Sequence, residues 1–306
     1  MKNSHYRLLF LSTLILIYQA QVAVTAEPQW LGPVTLTNSE RFMLDAENIN
    51  QTFQIDISLP SGYQSSDQDY PVAYLIDSNL MFPAVDFNAR GLQLGLEVPG
   101  FILVGIGYKV DNDLQALALR NRDLLPSYDA EWVEESRQAP PPLTLPENIN
   151  PGGAEKFLKF INEELKAVIN SHYRVNTENQ TLVGYSFGGL FSLFTLFKHT
   201  DSFDRYVIGS PSVWWHDQLS LDFEEQYAEN NEDLAKAVFI SSGGLEEEPG
   251  SEDFRMISNA REVWQRLVAR NYPNLKIAFT IFDGETHLSG TGVAINRGLK
   301  FVLNQD

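Results

Sequence analysis

Cysteine is absent from the 306-residue chain, and basic residues are few, with 22 Lys and Arg against 40 Asp and Glu. Without cysteine the fold cannot depend on disulfides, and a mature N-terminus cannot carry a lipid-modified cysteine. The acidic balance repels phosphate backbones, so we expect no nucleic-acid partner. Histidine and carboxylate clusters at metal-ligand spacing are also missing, and we therefore predict no metal site and no bound cofactor.

The first 26 residues differ in character from the rest. Lys2 and Arg7 precede the apolar run LLFLSTLILI, and small residues end the segment in AVTA before Glu27. This order is typical of a cleavable signal peptide. The apolar run is short against the roughly 20 residues of a spanning helix, although an uncleaved membrane anchor is the alternative. We predict a signal peptide over residues 1–26 and one domain over 27–306, periplasmic or secreted and not stably bound to a membrane.

Short apolar runs alternate with helical patterns from Val72 onward. Buried strands are predicted at VAYLI (72–76), FILVGIGY (101–108), TLVGY (181–185), DRYVIGS (204–210), AVFISSG (237–243) and KIAFTIF (276–282). Amphipathic helices are predicted over 153–173 and 259–272, and a nearly all-apolar helix over 187–198. This alternation predicts an α/β fold with a mostly parallel central sheet and helices on both faces. Residues 40–60 are expected to add antiparallel strands at one edge.

The segment PSYDAEWVEESRQAPPPLTLPENINPGG, residues 126–153, is acidic, rich in proline and aperiodic. A disordered linker is one interpretation. Apolar patterns that belong together flank the segment on both sides, so we predict a long loop within a single domain. Loops of this length often cover a site.

The stretch LVGYSFGGLF, residues 182–191, places Ser186 between a predicted strand and an apolar helix. Its G-x-S-x-G pattern, with Gly184 and Gly188, is that of a nucleophile elbow, a sharp turn that exposes a serine hydroxyl above the sheet. Glycine at these positions, and at Gly189, lets the strand and the helix approach without Cβ clashes. We predict that Ser186 is a nucleophile; the alternative is a glycine-rich turn with an idle serine.

A serine nucleophile needs a base, and chain order selects among the histidines. Hydrolases of this class carry Ser, then the acid, then His. His287, in FDGETHLSG, follows the last predicted strand and fits the final place. His172 and His199 lie at predicted helix ends, and His216 follows SPSVWW as a candidate neighbour of the site. We therefore predict His287 as the base.

The acid is expected in the loop GGLEEEPGSEDF, after the strand at 237–243. Its role is to accept the imidazole N–H and to orient the ring. Glu246 is nearest to the strand end and is our prediction. Glu247, Glu248 and Asp253 remain alternatives, as does a Ser–His pair without a close carboxylate.

An oxyanion hole requires backbone N–H groups that point at the developing charge. We predict one from Phe187, the residue after the serine. The second is predicted from Asn79, in the loop DSNLMF that follows the strand at 72–76. Asp77 is expected to brace that loop through hydrogen bonds.

Several motifs occur together in one order: YLIDSNLMF, RNRDLLP, GGAEKFLKFINEELKAVINSHYRV, LVGYSFGGLF and FDRYVIGSPSVWW. With them the chain resembles the putative-esterase (esterase D-like) family of α/β-hydrolases, and within it the group of siderophore trilactone esterases. The resemblance runs from about Gln51 to Phe301. It implies a single-domain serine carboxylic-ester hydrolase with Ser186 and His287 as catalytic residues. Members of the group use a carboxylate or a Ser–His pair alone.

Two further positions follow from this resemblance. The family usually has LDG at residues 76–78, where this chain has serine in place of the flexible glycine. Arg120, Arg122 and Asp123 match a family motif near the site. The arginines are predicted to bind an anionic group of the substrate; the alternative is that Arg122 and Asp123 anchor their loop.

The substrate is predicted to be a small-molecule ester that is cleaved through an acyl-enzyme. Trp214 and Trp215 are candidates to stack on an aromatic acyl group, or else to fill the core. Without the two basic residues of the signal peptide the formal charge is −20, which repels an anionic ferric catecholate siderophore at long range. Neutral aryl, feruloyl or acetyl-sugar esters are therefore an alternative to a siderophore. A non-catalytic ligand-binding protein on the same fold is a further one.

Overall fold

The computed structural model describes residues 29–142, 144–250 and 254–304. Contacts divide the chain into two units, Met1–Thr35 and Leu36–Asp306. The described part of the first unit, residues 29–35, is exposed and contains neither helix nor strand. The predicted signal peptide lies outside the described residues. None of the helices in the described ranges is long and apolar enough to cross a bilayer.

The second unit is built on an eight-stranded sheet, counted over the described residues. In chain order the strands are β1 Ser39–Ala46, β2 Gln51–Ser58, β3 Tyr70–Ile76, β4 Ile102–Tyr108, β5 Val175–Tyr185, β6 Arg205–Gly209, β7 Ala237–Gly243 and β8 Lys276–Phe282. Their spatial order is β1-β2-β4-β3-β5-β6-β7-β8. The pairs β1–β2 and β2–β4 are antiparallel and all the others are parallel. The predicted parallel sheet with an antiparallel edge is confirmed.

Helices cover both faces of the sheet. They are α1 Ser78–Leu94, α2 Asp113–Asp123, α3 Ala130–Gln138, α4 Ala154–Lys159, α5 Lys166–His172, α6 Phe187–Lys198, α7 Trp215–Asn230, α8 Met256–Arg270 and α9 Gly290–Leu303. A π-helical segment, Phe160–Leu165, joins α4 to α5. The helix predicted over 153–173 is therefore helical in the structure but interrupted at its centre.

The side chains of β3 show how the two cores arise. Val72, Tyr74 and Ile76 belong to the larger hydrophobic cluster, whereas Ala73 and Leu75 belong to the smaller one. Successive side chains of a strand point to opposite faces, so the two clusters lie on opposite sides of the sheet. The larger cluster includes α4 and α6, and the smaller one includes α1 and α9. Burial of β3 on both faces explains its uninterrupted apolar sequence.

Residues 126–153 are not the plain loop that their composition suggested. They contain α3, which is capped by Asp129, whose carboxylate accepts hydrogen bonds from two backbone N–H groups of the first turn. Val133 on α3 packs with Leu145 and Ile149 of the following stretch in a small buried cluster. An aspartate N-cap and a local apolar cluster outweigh the lack of periodicity here.

The parallel strands bring the residues of the expected site together at their carboxyl ends. The chain leaves β3, β5, β7 and β8 at their carboxyl ends and runs directly into the stretches that hold Asp77, Ser186, Glu246 and His287. The carboxyl ends of neighbouring parallel strands lie side by side, and open α/β sheets bind their ligands beyond these ends.

Candidate active site

Ser186 occupies a sharp turn between β5 and α6, with φ 60° and ψ −120°. A Cβ added at Gly184 would lie 2.0 Å from the carbonyl oxygen of Gly188, and one added at Gly189 would lie 2.8 Å from that of Gly209. Both positions therefore require glycine. The backbone conformation of Ser186 is unfavourable for a residue with a side chain, at a cost of about 1–3 kcal/mol. Such strain, held by the surrounding packing, is the expected geometry of a nucleophile elbow.

Glu246 and His287 form a direct pair. His287 Nδ1 lies 2.9 Å from Glu246 Oε2, and the glutamate side chain is 1% exposed. The other oxygen, Oε1, accepts hydrogen bonds from the Gly243 N–H at 2.7 Å and the Ser210 hydroxyl at 2.5 Å. Every oxygen of this buried carboxylate thus has a donor.

Two opposing effects act on the Glu246 carboxyl group. Burial alone would raise its pKa, but the hydrogen bonds from His287, Ser210 and the Gly243 N–H outweigh burial and hold the pKa below its ordinary value. The group is therefore an anion at neutral pH. An anion at this place fixes the imidazole ring with Nδ1 toward the glutamate and Nε2 on the other side.

Ser186 and His287 line one cavity of about 740 Å³. The rest of its lining combines aromatic and aliphatic side chains with a few polar ones: Phe187, Ser212, Trp214, Leu245, Glu246, Glu248, Pro249, Gly250, Phe254, Met256 and Thr286. Within the described residues, no hydrogen bond joins the Ser186 hydroxyl to His287. Such bonds are often long in free enzymes and tighten when substrate is bound.

The two residues of the predicted oxyanion hole are the first of α6 and the second of α1. Phe187 follows the serine directly. The Asn79 side chain holds the end of β4, because its Nδ2 donates to the Tyr108 carbonyl at 2.9 Å and its Oδ1 accepts from the Tyr108 N–H at 2.6 Å. Its amide side chain is thereby committed to β4, and Asn79 is not among the residues that line the cavity, so the oxyanion role of its backbone N–H stays a prediction.

The serine at the family's glycine position fits without strain. Asp77, with φ 60° and ψ 39°, takes the left-handed conformation and begins α1. Ser78 is already helical, 1% exposed, and its hydroxyl donates to Asp56 on β2 at 2.5 Å. Sequence reasoning missed Asp56, which lies on a neighbouring antiparallel strand and has no motif of its own.

The structure does not place Arg120 and Arg122 among the residues that line the cavity. Arg120 forms two hydrogen bonds with Asp77, from Nε at 2.9 Å and from Nη2 at 2.7 Å. Arg122 pairs with Asp123 at 2.7 Å and also contacts Gln51. Both arginines thus have protein partners, and the Arg122–Asp123 pair is consistent with the alternative of a loop anchor. Their binding of an anionic substrate group stays a prediction.

The two neighbouring tryptophans have different surroundings. Trp214 lines the cavity. Trp215 is fully buried, its Nε1 donates to the Ser127 hydroxyl at 2.9 Å, and its ring lies 5.0 Å from that of Trp132 on α3. Of the pair, Trp214 can contact a substrate, whereas Trp215 fills the core. Trp132 also packs against Phe187 at 6.1 Å and was not singled out from the sequence.

Two other histidines of the described chain have hydrogen-bond partners of their own. His199 binds Glu155 at 2.8 Å, and His216 binds the Ser127 hydroxyl through Nδ1 at 2.7 Å. Across the described residues, no group of three or more histidine or acidic side chains is arranged to hold a metal ion.

Comparison with known proteins then decides the family. The sequence profile described as Putative esterase matches residues 125–283. The ferri-bacillibactin esterase BesA of Bacillus subtilis is 33% identical over 89% of this chain and 92% of its own. The chain belongs to the putative-esterase family.

A second relative and a solved structure are also similar over most of the chain. The siderophore triacetylfusarinine C esterase of Aspergillus fumigatus is 27% identical over 87% of this chain and 94% of its own. The crystal structure of BES protein from Bacillus cereus superimposes with a TM-score of 0.75 at 30% identity, covering 92% of this chain and 99% of that one. The predicted α/β-hydrolase fold and an ester-hydrolase activity are confirmed. The roles of individual site residues stay predictions.

Proposed function

We propose that this esterase is exported and hydrolyses a siderophore ester through a serine mechanism. Ser186 is the nucleophile, His287 the general base and Glu246 the carboxylate that orients the base. The observation that carries the proposal is the 2.9 Å contact between His287 and a buried, anionic Glu246, on the same cavity as a serine in an elbow turn. A nucleophile beside a base, and a base held by a third group, is the arrangement that activates a hydroxyl.

The reaction proceeds through an acyl-enzyme. His287 takes the proton of Ser186 as Oγ bonds to the ester carbonyl carbon and the carbonyl π electrons move to oxygen. The tetrahedral intermediate collapses, the bond to the alcohol oxygen breaks, and His287 gives the proton to the departing alcohol. Water then attacks the acyl-enzyme with His287 again as base, which releases the acid and restores the serine.

Charge stabilisation accompanies each step. Glu246 stabilises the imidazolium that forms when the base takes up its proton. The backbone N–H groups of Phe187 and Asn79 stabilise the oxyanion. One such donor is typically worth about 10²–10³-fold in kcat, which makes the relative position of these two groups as important as the base.

The names of the relatives support a siderophore as the substrate. BesA is a ferri-bacillibactin esterase and the Aspergillus relative acts on triacetylfusarinine C. A cavity of about 740 Å³ lined by Trp214, Phe187 and Phe254 suits a bulky aromatic or aliphatic acyl group. Export is supported by the order of basic, apolar and small residues over positions 1–26.

A second candidate is a neutral aryl or acetyl ester. None of the described residues that line the cavity is a lysine or an arginine, and Glu246 and Glu248 lie among them. A lining of this charge favours an uncharged ester over a ferric catecholate, which carries several negative charges.

Turnover of two substrates tests both candidates. We expect the wild type to hydrolyse ferri-bacillibactin, and the Ser186→Ala variant to have lost the activity with unchanged thermal stability. Raising the salt concentration from 0.01 to 0.1 M shortens the Debye length from roughly 30 to 10 Å. This weakens the repulsion of an anion, so kcat/KM for ferri-bacillibactin should rise while that for p-nitrophenyl acetate stays constant. Hydrolysis of p-nitrophenyl acetate alone would favour the neutral ester, and full activity of Ser186→Ala would refute the serine mechanism.

A further inference from the structure

Arg120 contacts three residues in the two segments that meet at the proposed oxyanion hole. Its guanidinium holds both carboxylate oxygens of Asp77, at 2.9 and 2.7 Å, at the start of α1. Nη2 also donates to the carbonyl of Tyr185, at 3.3 Å, the residue before the serine. The same guanidinium lies over the ring of Phe187, 5.2 Å from its centre, the residue after the serine.

We propose that Arg120 is a positioning residue that sets the distance between the two backbone donors of the oxyanion hole. The inference rests on the proposed serine mechanism. One donor, the Phe187 N–H, belongs to the elbow, and the other, the Asn79 N–H, lies two residues after Asp77. No covalent segment shorter than 100 residues joins these positions, so their separation depends on contacts across the fold.

The contact between the loop and the elbow is close. Asp77 Oδ2 would lie 3.4 Å from a Cβ placed on Gly188, so the carboxylate sits against the first turn of α6. The ion pair is also largely buried, with the Arg120 side chain 11% exposed and that of Asp77 5%. Burial alone would lower the pKa of Arg120, but the charge of Asp77 reverses this and holds the pKa above its ordinary value. The Arg120 guanidinium is therefore charged, and the buried pair is little screened by solvent.

The planar shape of arginine is suited to this role. Two parallel N–H groups engage the carboxylate while the same plane stacks on an aromatic ring and reaches a carbonyl. Lysine at this position keeps the charge but supplies neither the paired donors nor a stacking plane. A substitution by lysine thus separates geometry from charge.

The ion pair also helps to hold Asp77 in its left-handed backbone conformation. A residue other than glycine is unfavourable at φ 60°, and such conformations persist where surrounding contacts determine them. The pair with Arg120 is one of these contacts. Without it, the loop that leads to Asn79 is free to relax away from the elbow.

The test compares Arg120→Gln and Arg120→Lys with a matched control, Arg270→Gln. Arg270 also forms two hydrogen bonds, at 2.9 and 3.1 Å, with a carboxylate that is 1% exposed, that of Glu224. Titration with a fluorophosphonate counts the competent serines, and kcat is expressed per labelled site. This correction removes losses that come only from misfolded protein.

We expect Arg120→Gln to lower kcat per labelled site by about 10²-fold, the value of one oxyanion donor, with KM within about threefold. Arg120→Lys should lose about tenfold or more. An arylboronic acid, whose tetrahedral adduct places an oxygen in the hole, should bind more weakly by a factor that follows the loss in kcat. Arg270→Gln should keep the wild-type kcat per labelled site.

Two outcomes would overturn the inference. One is an unchanged kcat per labelled site in Arg120→Lys, which keeps the charge and is the milder variant if Arg120→Gln fails to fold. The other is an equal loss in Arg270→Gln, which would attribute the effect to general destabilisation. Failure of the fluorophosphonate to label Ser186 in the wild type would instead refute the proposed function.

Discussion

Ser186 and His287 line the same cavity, and Ser127 is hydrogen-bonded to His216; these two serine–histidine arrangements are built in opposite ways. At the proposed active site, Glu246 holds Nδ1 of His287, which lines the cavity and has Nε2 outside this contact. In the second arrangement, Nδ1 of His216 itself binds the Ser127 hydroxyl at 2.7 Å. His216 is exposed, and no carboxylate contacts it in the part of the chain that the structure describes. A serine close to a histidine is thus not sufficient for a nucleophile.

The surroundings of the two hydroxyl groups explain the difference. Ser127 also accepts a hydrogen bond from Trp215 Nε1 at 2.9 Å, so its oxygen links the segment 126–153 to the start of α7. His216 is the first of three successive residues with left-handed φ angles of 47°, 53° and 64°, which break the helix there. The Ser127–His216 contact joins two segments, whereas Ser186 is a strained residue that lines a cavity. The two arrangements differ mainly in the carboxylate: Glu246 contacts His287, whereas no carboxylate of the described residues contacts His216.

Replacing each histidine by alanine should give the largest difference in kcat between the two arrangements. His287→Ala should lower kcat by about 10⁴-fold or more, because the base that accepts the serine proton is lost. His216→Ala should leave kcat near wild type and cost stability of about 1 kcal/mol from the lost hydrogen bond. Steady-state kinetics and thermal unfolding of both variants check this. A comparable loss of kcat in His216→Ala would contradict the prediction that His287, and not His216, serves as the base.

The next largest effect is expected from replacing the Glu246 carboxylate. Glu246→Gln should lower kcat by about 10²–10⁴-fold, because an amide no longer stabilises the imidazolium or selects the tautomer. Glu247→Gln is the matched control, since Glu247 accepts hydrogen bonds from the N–H and the hydroxyl of Ser258 in α8. It should keep kcat and lose about 1 kcal/mol of stability as a weakened helix cap. Equal kcat in both variants would favour a Ser–His pair without a carboxylate.

The smallest expected effect concerns Ser210. Its hydroxyl donates to Glu246, so Ser210→Ala should raise the pKa of that carboxyl toward its ordinary value. A lowered pKa stabilises the folded state above the ordinary pKa, and this contribution is lost as pH falls through the folded value. In the variant, the low-pH limb of kcat/KM and the acid-unfolding midpoint should both move to higher pH.

Ser220→Ala removes another fully buried serine and serves as the control for this profile. It should leave the pH dependence of kcat/KM unchanged. An identical low-pH limb in Ser210→Ala and the wild type would show that the hydroxyl does not tune Glu246.

Chain order was enough to predict the parts of the site that follow strands. Ser186, Glu246 and His287 each come shortly after an apolar strand, and parallel strands bring their carboxyl ends together. The sequence therefore predicted that these residues lie near one another. It left open which glutamate contacts His287, because Glu247 and Glu248 are close neighbours with the same chemistry. The structure pairs Glu246 with His287 and gives Glu247 to α8.

Contacts between distant segments could not be read from the sequence. The pairs Arg120–Asp77 and Ser78–Asp56 cross 43 and 22 residues, and no local pattern specifies such partners. Helix α1 was also missed, because Pro83 and Gly91 lie inside it and both disfavour helix. Packing of α1 on the sheet outweighs these propensities.

The position of β8 has a consequence for how the enzyme loses activity. This strand lies at the edge of the described sheet, pairs there with β7, and has no fully buried residue. The serine follows β5, in the interior of the sheet, whereas the histidine follows the edge. Edge elements with few buried contacts open locally at lower free energy than the core does. We expect an opening of β8 to displace His287 while Ser186, its elbow and most of the sheet remain folded, so that inactivation under mild denaturing conditions should precede global unfolding.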